Sequence, residues 1–181
     1  YHMDKYIGLD SSAPQCFGNF LDAHIFGLVP FKSVNYIKSD ATDPDEESAR
    51  YSSLLAATKI DIVVMGIGEN GHIAFNDPPV ADFADPKKIK RVALDDVCRM
   101  QQVHDGCFPT FDDVPEYAYT LTIPQMTSAD YMFCVVPAAT KADAVYNTVN
   151  EEINDMCPAT ILRKHNNAIM YCDADSGAKL L

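Results

Sequence analysis

A histidine and an aspartate stand five positions apart in a glycine-rich segment, residues 66–78, which reads GIGENGHIAFNDP. A histidine side chain changes its charge near neutral pH, so this residue type can both accept and donate a proton, here at His72. The carboxylate of Asp77 can fix the tautomer of that ring and raise its basicity. Glycines in the same segment allow the backbone to approach a ligand closely. Residue types and spacing therefore predict a catalytic loop for general acid–base chemistry.

An apolar stretch directly before this loop is expected to position it. Residues 60–65 read IDIVVM, a short segment rich in β-branched side chains, which predicts a buried strand. In open α/β sheets, ligands bind at the carboxyl ends of the strands. The loop would therefore lie where such sheets carry their sites.

The same glycines raise an alternative, because Gly66, Gly68 and Gly71 satisfy the dinucleotide-binding pattern G-x-G-x-x-G. That fingerprint requires a helix that opens at the third glycine. Here Pro78 and Pro79 would break such a helix, since proline lacks an N–H donor and clashes in a helix interior. We therefore expect no nicotinamide or flavin. A second alternative is a plain glycine turn with a surface histidine. We would favour that interpretation for a lone Gly-His pair, but not for the whole segment of residues 66–78.

Apolar periodicity and capping residues predict alternating strands and helices along the chain. Asp43 before Pro44, for example, suits the start of a helix. The predicted helices cover residues 19–26, 43–59, 95–103 and 140–149. The predicted strands cover residues 34–37, 60–65, 117–123, 131–136 and 168–172, with residues 1–10 ending a further strand. This order implies a three-layer, Rossmann-like α/β fold, a mostly parallel sheet with helices on both faces.

Composition bounds the class of protein. The chain has 181 residues, of which 48% are hydrophobic and 22% are charged, values typical of a globular domain. A formal net charge of −12 argues against a nucleic-acid surface, which needs clustered basic residues. No stretch reaches the roughly 20 apolar residues of a membrane span. We predict one domain, 1–181, that binds neither nucleic acid nor a membrane.

The six cysteines are dispersed and include no C-x-x-C pair. This spacing predicts neither a zinc site nor a disulfide framework, so no metal is expected. No secretory leader is visible in the sequence. We therefore expect a cytoplasmic protein.

Residues 66–78 resemble the signature of glucosamine-6-phosphate deaminases, G-x-G-x-[DN]-G-H-[IL]-[AG]-F-N-[ED]-P. Residues 3–9, which read MDKYIGL, are similar to the family's segment M-D-E-Y-x-G-L. Residues 137–142, which read PAATKA, are similar to its small-x-x-K-A segment at a strand-to-helix junction. The resemblance extends over nearly the whole chain.

The resemblance implies hydrolytic deamination and isomerisation of an amino-sugar phosphate, glucosamine 6-phosphate, to fructose 6-phosphate and ammonia. It implies no metal or organic cofactor. His72 would open the sugar ring with Asn70 and Asp77 as its partners, and Asp4 would move the proton from C2 to C1. An unperturbed aspartate is already ionised at neutral pH and so able to act as a base. Lys141 would bind the substrate phosphate beside a helix N-terminus, which suits an anion.

The glycines of the loop, Gly66, Gly68 and Gly71, are expected to contact the substrate. The resemblance also implies a homo-oligomer. The family's Ser/Thr-Gly-Gly phosphate loop precedes the segment of Asp4, and the chain opens Tyr-His-Met-Asp. The domain is therefore expected to lack the family's N-terminal third.

Two residues depart from the family pattern or carry a second interpretation. Lys5 replaces the family's glutamate, which changes the electrostatics beside Asp4. Asn70 keeps hydrogen-bonding capacity but carries no charge, so Asp77 would be the only carboxylate of the ring-opening group. Asn70 is also typical of a turn residue with a left-handed backbone.

Three other functions compete with the deaminase. A galactosamine-6-phosphate isomerase would keep the same acid–base residues and change the contacts to O4. A 6-phosphogluconolactonase shares the G-x-G-x-D-G-H part of the loop but continues with a Ser-Leu-Phe-Pro-like run, unlike residues 74–78, AFNDP. A catalytically silent domain that senses sugar phosphates would fit the departures at Lys5 and Asn70.

Overall fold

Six strands form two three-stranded sheets in the computed structural model, which describes all 181 residues. The strands are β1 (Asp4–Tyr6), β2 (Ile62–Met65), β3 (Ile89–Ala93), β4 (Tyr117–Leu121), β5 (Tyr131–Val136) and β6 (Ala168–Cys172). One sheet is antiparallel, in the order β1-β4-β3. The other is parallel, in the order β2-β5-β6. The prediction of an α/β fold with a parallel sheet is confirmed, and the antiparallel sheet is an addition to it.

Helices connect the strands. The α-helices are α1 (Phe17–Leu21), α2 (Pro44–Ala56), α3 (Asp96–His104), α4 (Ile123–Thr127) and α5 (Ala142–Asn150). Short π or 3₁₀ segments cover Asp22–Phe26, Phe111–Asp113, Ala139–Lys141 and Pro158–Lys164. None of the helices combines the length and apolar character that crossing a membrane requires.

Helix α2 begins as its sequence predicts. The Asp43 side chain accepts a hydrogen bond from the Asp45 N–H at 2.8 Å, and Pro44 occupies the first helical position. Acidic side chains fill the first turn, where they complement the helix dipole. The helix ends at Ala56, three residues before the predicted end.

One predicted strand does not form and one strand was not predicted, both for physical reasons. Residues 34–37 form no strand, because side chains bind their backbone groups. The Ile37 N–H donates to His2 Nε2 at 2.8 Å. The Tyr51 O–H donates to the Asn35 carbonyl at 3.1 Å. Strand β3 was not predicted because its charged residues hide the apolar alternation. Its partner β4, rather than its own composition, fixes it in the sheet.

The two faces of the parallel sheet differ in exposure. One face is buried in the main core. The strand predicted at residues 60–65 forms over Ile62–Met65. The other face is exposed, with Val64 65% accessible, so the prediction that this strand is buried is wrong for half of its side chains. The buried side chains are Val63, Met65, Met132, Cys134 and Val136. The exposed ones include Ile62, Val64, Tyr131, Val135, Ile169 and Tyr171.

Sheet topology brings the predicted site residues to one edge. Strands β2 and β5 are parallel neighbours, so the loops that follow Met65 and Val136 leave the same edge of the sheet. Asp4 arrives from the antiparallel sheet, where it pairs with Thr120 of β4. The side chain of Thr120 in turn contacts the loop after β2. The fold thereby joins three distant segments at the catalytic loop.

Candidate active site

The loop after β2 folds back on itself through its own backbone. Gly68 N–H donates to the His72 carbonyl at 2.9 Å, and Gly71 N–H donates to the Gly68 carbonyl at 3.0 Å. Helix α3 braces the turn from outside, because Glu69 N–H donates to Gln101 Oε1 at 3.0 Å. The position of His72 is therefore set by covalent connection and by three hydrogen bonds around it.

Two of the loop glycines are required by packing. A Cβ atom on Gly68 would overlap the imidazole ring of His72, so that ring lies directly against the backbone of residue 68. Gly71 has a φ of +79°, and a Cβ there would lie 2.6 Å from Cys157 Sγ. These glycines build the loop, while the predicted substrate contacts of Gly66, Gly68 and Gly71 stay predictions.

His72 and Asp77 form a buried pair. The distance from His72 Nδ1 to Asp77 Oδ1 is 2.9 Å, and the two residues are 8% and 1% exposed. The ring nitrogen and the carboxylate oxygen lie at ion-pair distance, but the ring N–H does not point straight at that oxygen. The hydrogen-bond angle is therefore bent. Burial on its own raises the pKa of Asp77, but the close imidazole of His72 and its charge, together with the hydrogen bond from Asn70 and the nearby thiol of Cys98, hold that pKa below its usual range. Asp77 is therefore an ionised partner for the imidazole, as predicted.

Asn70 supports Asp77 instead of the imidazole ring. Its Nδ2 donates to Asp77 Oδ1 at 3.0 Å, and its Oδ1 accepts from the His72 N–H at 3.0 Å. The alternative of a left-handed turn residue is wrong, since Ala74 and Ala138 are the non-glycine residues with positive φ. Asn70 thus orients the carboxylate that faces the ring.

Asp4 meets this group from strand β1. Burial raises the pKa of its carboxyl to about 7, and the nearby charge of His72 lowers it in part. The expectation of an unperturbed, fully ionised aspartate is therefore wrong, because desolvation disfavours the charged form. At neutral pH both protonation states of Asp4 are populated.

Lys5 lies on the opposite side of β1 from Asp4, because successive side chains of a strand alternate. It is 7% exposed, and its Nζ would lie 4.0 Å from a Cβ built on Gly18. Its charge also lowers the pKa of His2, after the larger effect of burial. The departure from the family's glutamate therefore changes the far side of the strand.

Lys141 ends the short 3₁₀ segment before α5. Burial lowers the pKa of its ammonium group, while the charges of Asp105 and Glu69 raise it. Glu69 belongs to the loop after β2, so Lys141 lies close enough to that loop for the charge of Glu69 to act on the ammonium group. It forms no ion pair within the chain, which leaves its charge available to a bound anion.

Sequence reasoning missed the residues that pin the loop to strand β4. Asn76 is fully buried and donates from Nδ2 to Thr120 Oγ1 at 3.1 Å and to the Leu121 carbonyl at 2.8 Å. Phe75 N–H donates to the same Thr120 hydroxyl at 3.1 Å. These partners are more than 40 positions apart. Phe75 and Asn76 lie within the family signature, but no local pattern marks Thr120 as their partner.

One cluster has the donor types of a metal site. A nitrogen of His72, a carboxylate oxygen of Asp77 and the sulfur of Cys98 all lie within 4.8 Å of one another, and all three residues are buried. Tetrahedral Zn²⁺, with bonds of about 2.0–2.3 Å, keeps its ligands more than about 3 Å apart. His72 and Asp77 contact each other directly at 2.9 Å instead. The cluster therefore places the imidazole and the carboxylate at ion-pair distance, with the thiol beside them.

Comparisons with known proteins identify the family of the chain. Residues 10–171 match the model of the family described as glucosamine-6-phosphate isomerases/6-phosphogluconolactonase. The glucosamine-6-phosphate deaminase of Bacillus cereus (strain B4264) is 34% identical over 175 residues, which cover 97% of this chain and 65% of that protein. The one from Exiguobacterium sibiricum is 34% identical over 180 residues, covering 99% and 69%. The chain thus spans about two thirds of the length of these relatives.

Two solved structures share the fold. A monomeric glucosamine-6-phosphate deaminase superimposes with a TM-score of 0.88 at 27% identity, covering 97% of this chain and 72% of that one. The 6-phosphogluconolactonase of Thermotoga maritima superimposes with a TM-score of 0.71 at 15% identity, covering 94% and 70%. The second likeness concerns the fold alone. Together they confirm the Rossmann-like α/β class.

Proposed function

This chain belongs to the family of glucosamine-6-phosphate isomerases and 6-phosphogluconolactonases, and from that premise we propose that the protein converts glucosamine 6-phosphate and water to fructose 6-phosphate and ammonia. The observation that carries the proposal is the buried His72–Asp77 pair beside Asp4, since the reaction needs one acid–base group for ring opening and another for isomerisation. The 34% identity to proteins named glucosamine-6-phosphate deaminase supports the choice of substrate.

Ring opening is the task of His72. The imidazole takes the proton of the O1 hydroxyl and returns a proton to the ring oxygen as the bond from C1 to that oxygen breaks. Asp77 remains ionised because its pKa is held low, so it stabilises the imidazolium that forms between the two transfers. Asn70 keeps the carboxylate aimed at the ring through its 3.0 Å hydrogen bond.

Isomerisation is the task of Asp4. Its carboxylate takes the proton from C2 of the open-chain aldehyde and returns it to C1, while O1 gains the proton that the nitrogen on C2 loses, so that an alcohol forms at C1 and an imine at C2. Water then adds to C2 and ammonia leaves, which balances the overall reaction. A carboxyl with a pKa of about 7 suits this shuttle, because a group that both takes and gives a proton works best near its own pKa.

Lys141 supplies the charge for the substrate phosphate. It lies at the strand-to-helix junction after β5, on the same sheet edge as the catalytic loop, and carries no internal ion pair. A lysine acts as a point charge toward phosphate, without a demand for bidentate geometry. The sugar would then extend from Lys141 toward His72 and Asp4.

Parallel assays determine which epimer of the amino-sugar phosphate the protein uses and whether it acts as a deaminase or as a lactonase. The full-length protein is given glucosamine 6-phosphate, galactosamine 6-phosphate and 6-phosphogluconolactone, with ammonia or acid release as the readout. We expect ammonia from the gluco epimer and no lactone hydrolysis above the uncatalysed rate. A preference for the galacto epimer would move the assignment to galactosamine-6-phosphate isomerase, and binding without turnover would leave a sensor.

A homo-oligomer in the cytoplasm, made of one such domain per chain, remains our prediction for the assembled protein. A solved relative is described as monomeric, so the two states are both compatible with this fold. Light scattering of the purified full-length protein distinguishes them.

A further inference from the structure

The carboxylate of Asp77 has two oxygens with different surroundings. Oδ1 accepts from Asn70 Nδ2 at 3.0 Å and lies 2.9 Å from His72 Nδ1. Oδ2 is buried and has no hydrogen-bond partner of good geometry, in a residue that is only 1% exposed. A buried ionised oxygen without a donor is costly. A hydrogen-bond donor near Oδ2 would therefore stabilise the buried carboxylate.

Cys98 is the side chain that reaches this place. It is fully buried on α3, and its sulfur lies within 4.8 Å of both the Asp77 carboxylate and the His72 ring nitrogen. Its backbone is fixed, because Cys98 N–H donates to Asp95 Oδ1 at 2.8 Å at the helix cap. The same helix carries Gln101, which holds the catalytic loop.

The sulfur is a thiol and not a thiolate. Burial raises the pKa of Cys98 well above its usual value, and the negative charge of Asp77 raises it further. At neutral pH the group is therefore an S–H donor that faces a carboxylate.

We propose that the thiol of Cys98 donates its hydrogen to the free oxygen of Asp77 and thereby holds that carboxylate in the orientation that serves His72. Cys98 is then a positioning residue, which acts through Asp77 and touches no substrate atom. The proposal rests on the proposed function for its meaning in catalysis, but the sulfur lies within 4.8 Å of the carboxylate whether or not the protein is a deaminase.

Packing is the competing explanation. Cys98 also belongs to a buried cluster with Tyr6, Phe75, Val92 and Phe108, in which a small apolar side chain would suffice. Three substitutions separate the two roles. Cys98→Ser keeps a donor of similar size, Cys98→Ala removes it, and Cys98→Val fills the space without it.

The first readout is turnover of glucosamine 6-phosphate by the full-length protein. We expect Cys98→Ala and Cys98→Val to lower kcat about tenfold with little change in KM, and Cys98→Ser to restore most of the loss, since the serine hydroxyl again offers a donor to the charged carboxylate. Cys134→Ala, which removes another buried thiol in β5 far from any carboxylate partner, is the matched control and should leave kcat unchanged.

The second readout does not depend on turnover. The proton on His72 Nδ1 gives a low-field NMR resonance when it is hydrogen-bonded to Asp77. We expect this signal in the wild type and in Cys98→Ser, and its loss or upfield shift in Cys98→Ala and Cys98→Val at unchanged folding. A wild-type signal with no ammonia release would reject the deaminase and keep the contact. Equal signals in all four proteins, or a Ser variant as impaired as Ala, would overturn the proposal.

Discussion

The loops that follow β2 and β5 leave the same edge of the parallel sheet, yet they hold their side chains in different ways. The first, residues 66–77, is bonded to itself, to α3 and to β4, and it buries His72 and Asp77. The second, residues 137–141, is exposed along four of its five residues. Side-chain anchoring there is a single bond, from Ala138 N–H to Asp173 Oδ2 at 2.9 Å.

This difference follows from the chemistry each loop would perform. Proton transfer requires atoms to be placed within a few tenths of an ångström, so its loop is rigid and dry. Attraction between an ammonium group and a phosphate falls off slowly with distance, so Lys141 needs only the right region of space. Substitutions in the first loop should therefore lower kcat, and those in the second should raise KM.

Asp77→Asn should have the largest effect. An amide of the same shape leaves the loop folded but removes the charge that stabilises the imidazolium of His72, so we expect kcat to fall about 10²–10⁴-fold. Steady-state ammonia release measures this. Asp82→Asn, an exposed aspartate five residues further along, is the control and should behave as the wild type.

Gly68→Ala should break the rigid loop by sterics alone. The added Cβ overlaps the His72 ring, so the ring must move, and a displacement of about 1 Å at a catalytic group lowers turnover about 10²-fold. A double-mutant cycle identifies the cause. In a His72→Ala background the same glycine substitution should cost little further activity, whereas an equal additional loss would mean that the loop itself has collapsed.

Lys141→Gln should change binding and leave the chemical step nearly intact. We expect KM for glucosamine 6-phosphate to rise about 10–30-fold with kcat within about threefold, as for the loss of uniform binding. Lys87→Gln, an exposed lysine on another surface, should change neither constant. A fall in kcat as large as that of Asp77→Asn would contradict the assignment of proton transfer to the first loop and of phosphate binding to the second.

Asp4→Asn extends the comparison to the antiparallel sheet, since the half-buried Asp4 lies close enough to the first loop for the charge of His72 to lower its pKa. A carboxyl whose folded pKa is raised to about 7 contributes stability below its unfolded pKa and loses it as pH rises through about 7. The neutral amide avoids this loss. We expect the Tm of the variant to exceed that of the wild type by several degrees at pH 8, since 1 kcal/mol corresponds to about 2–4 °C. The gain should be smaller at pH 5 and absent at about pH 3, below the unfolded pKa. An equal Tm at pH 8 would show that the carboxyl is solvated.

The short-range part of the site was predictable from sequence. His72 and Asp77 lie within one segment, so their pairing follows from chain connectivity and from the strand before them. The roles of Thr120 and Cys98 were not predictable, because their partners are brought together by the antiparallel sheet and by α3. The pKa of Asp4 could not be read from the sequence either, since desolvation depends on what packs around the carboxyl.

The same contrast between local and long-range determinants holds for the helices and strands. Helix α2 carries its start signal in local residues, Asp43 and Pro44, and forms where predicted. Strand β3 carries Lys90 and Arg91 and exists because β4 supplies its hydrogen bonds. Residues 34–37 have an apolar, strand-like composition, but side chains such as His2 capture their backbone groups.

The most direct test of a buried, shared acid–base group is the pH dependence of ammonia release from glucosamine 6-phosphate. We would measure kcat/KM of the full-length protein from pH 4 to pH 9, because this constant reports the ionisation of the free enzyme. With Asp4 as the base, the rate should rise with pH through a midpoint near 7, about tenfold per unit below it. A profile that stays flat down to pH 5, or the absence of ammonia release at every pH, would contradict the role assigned to Asp4.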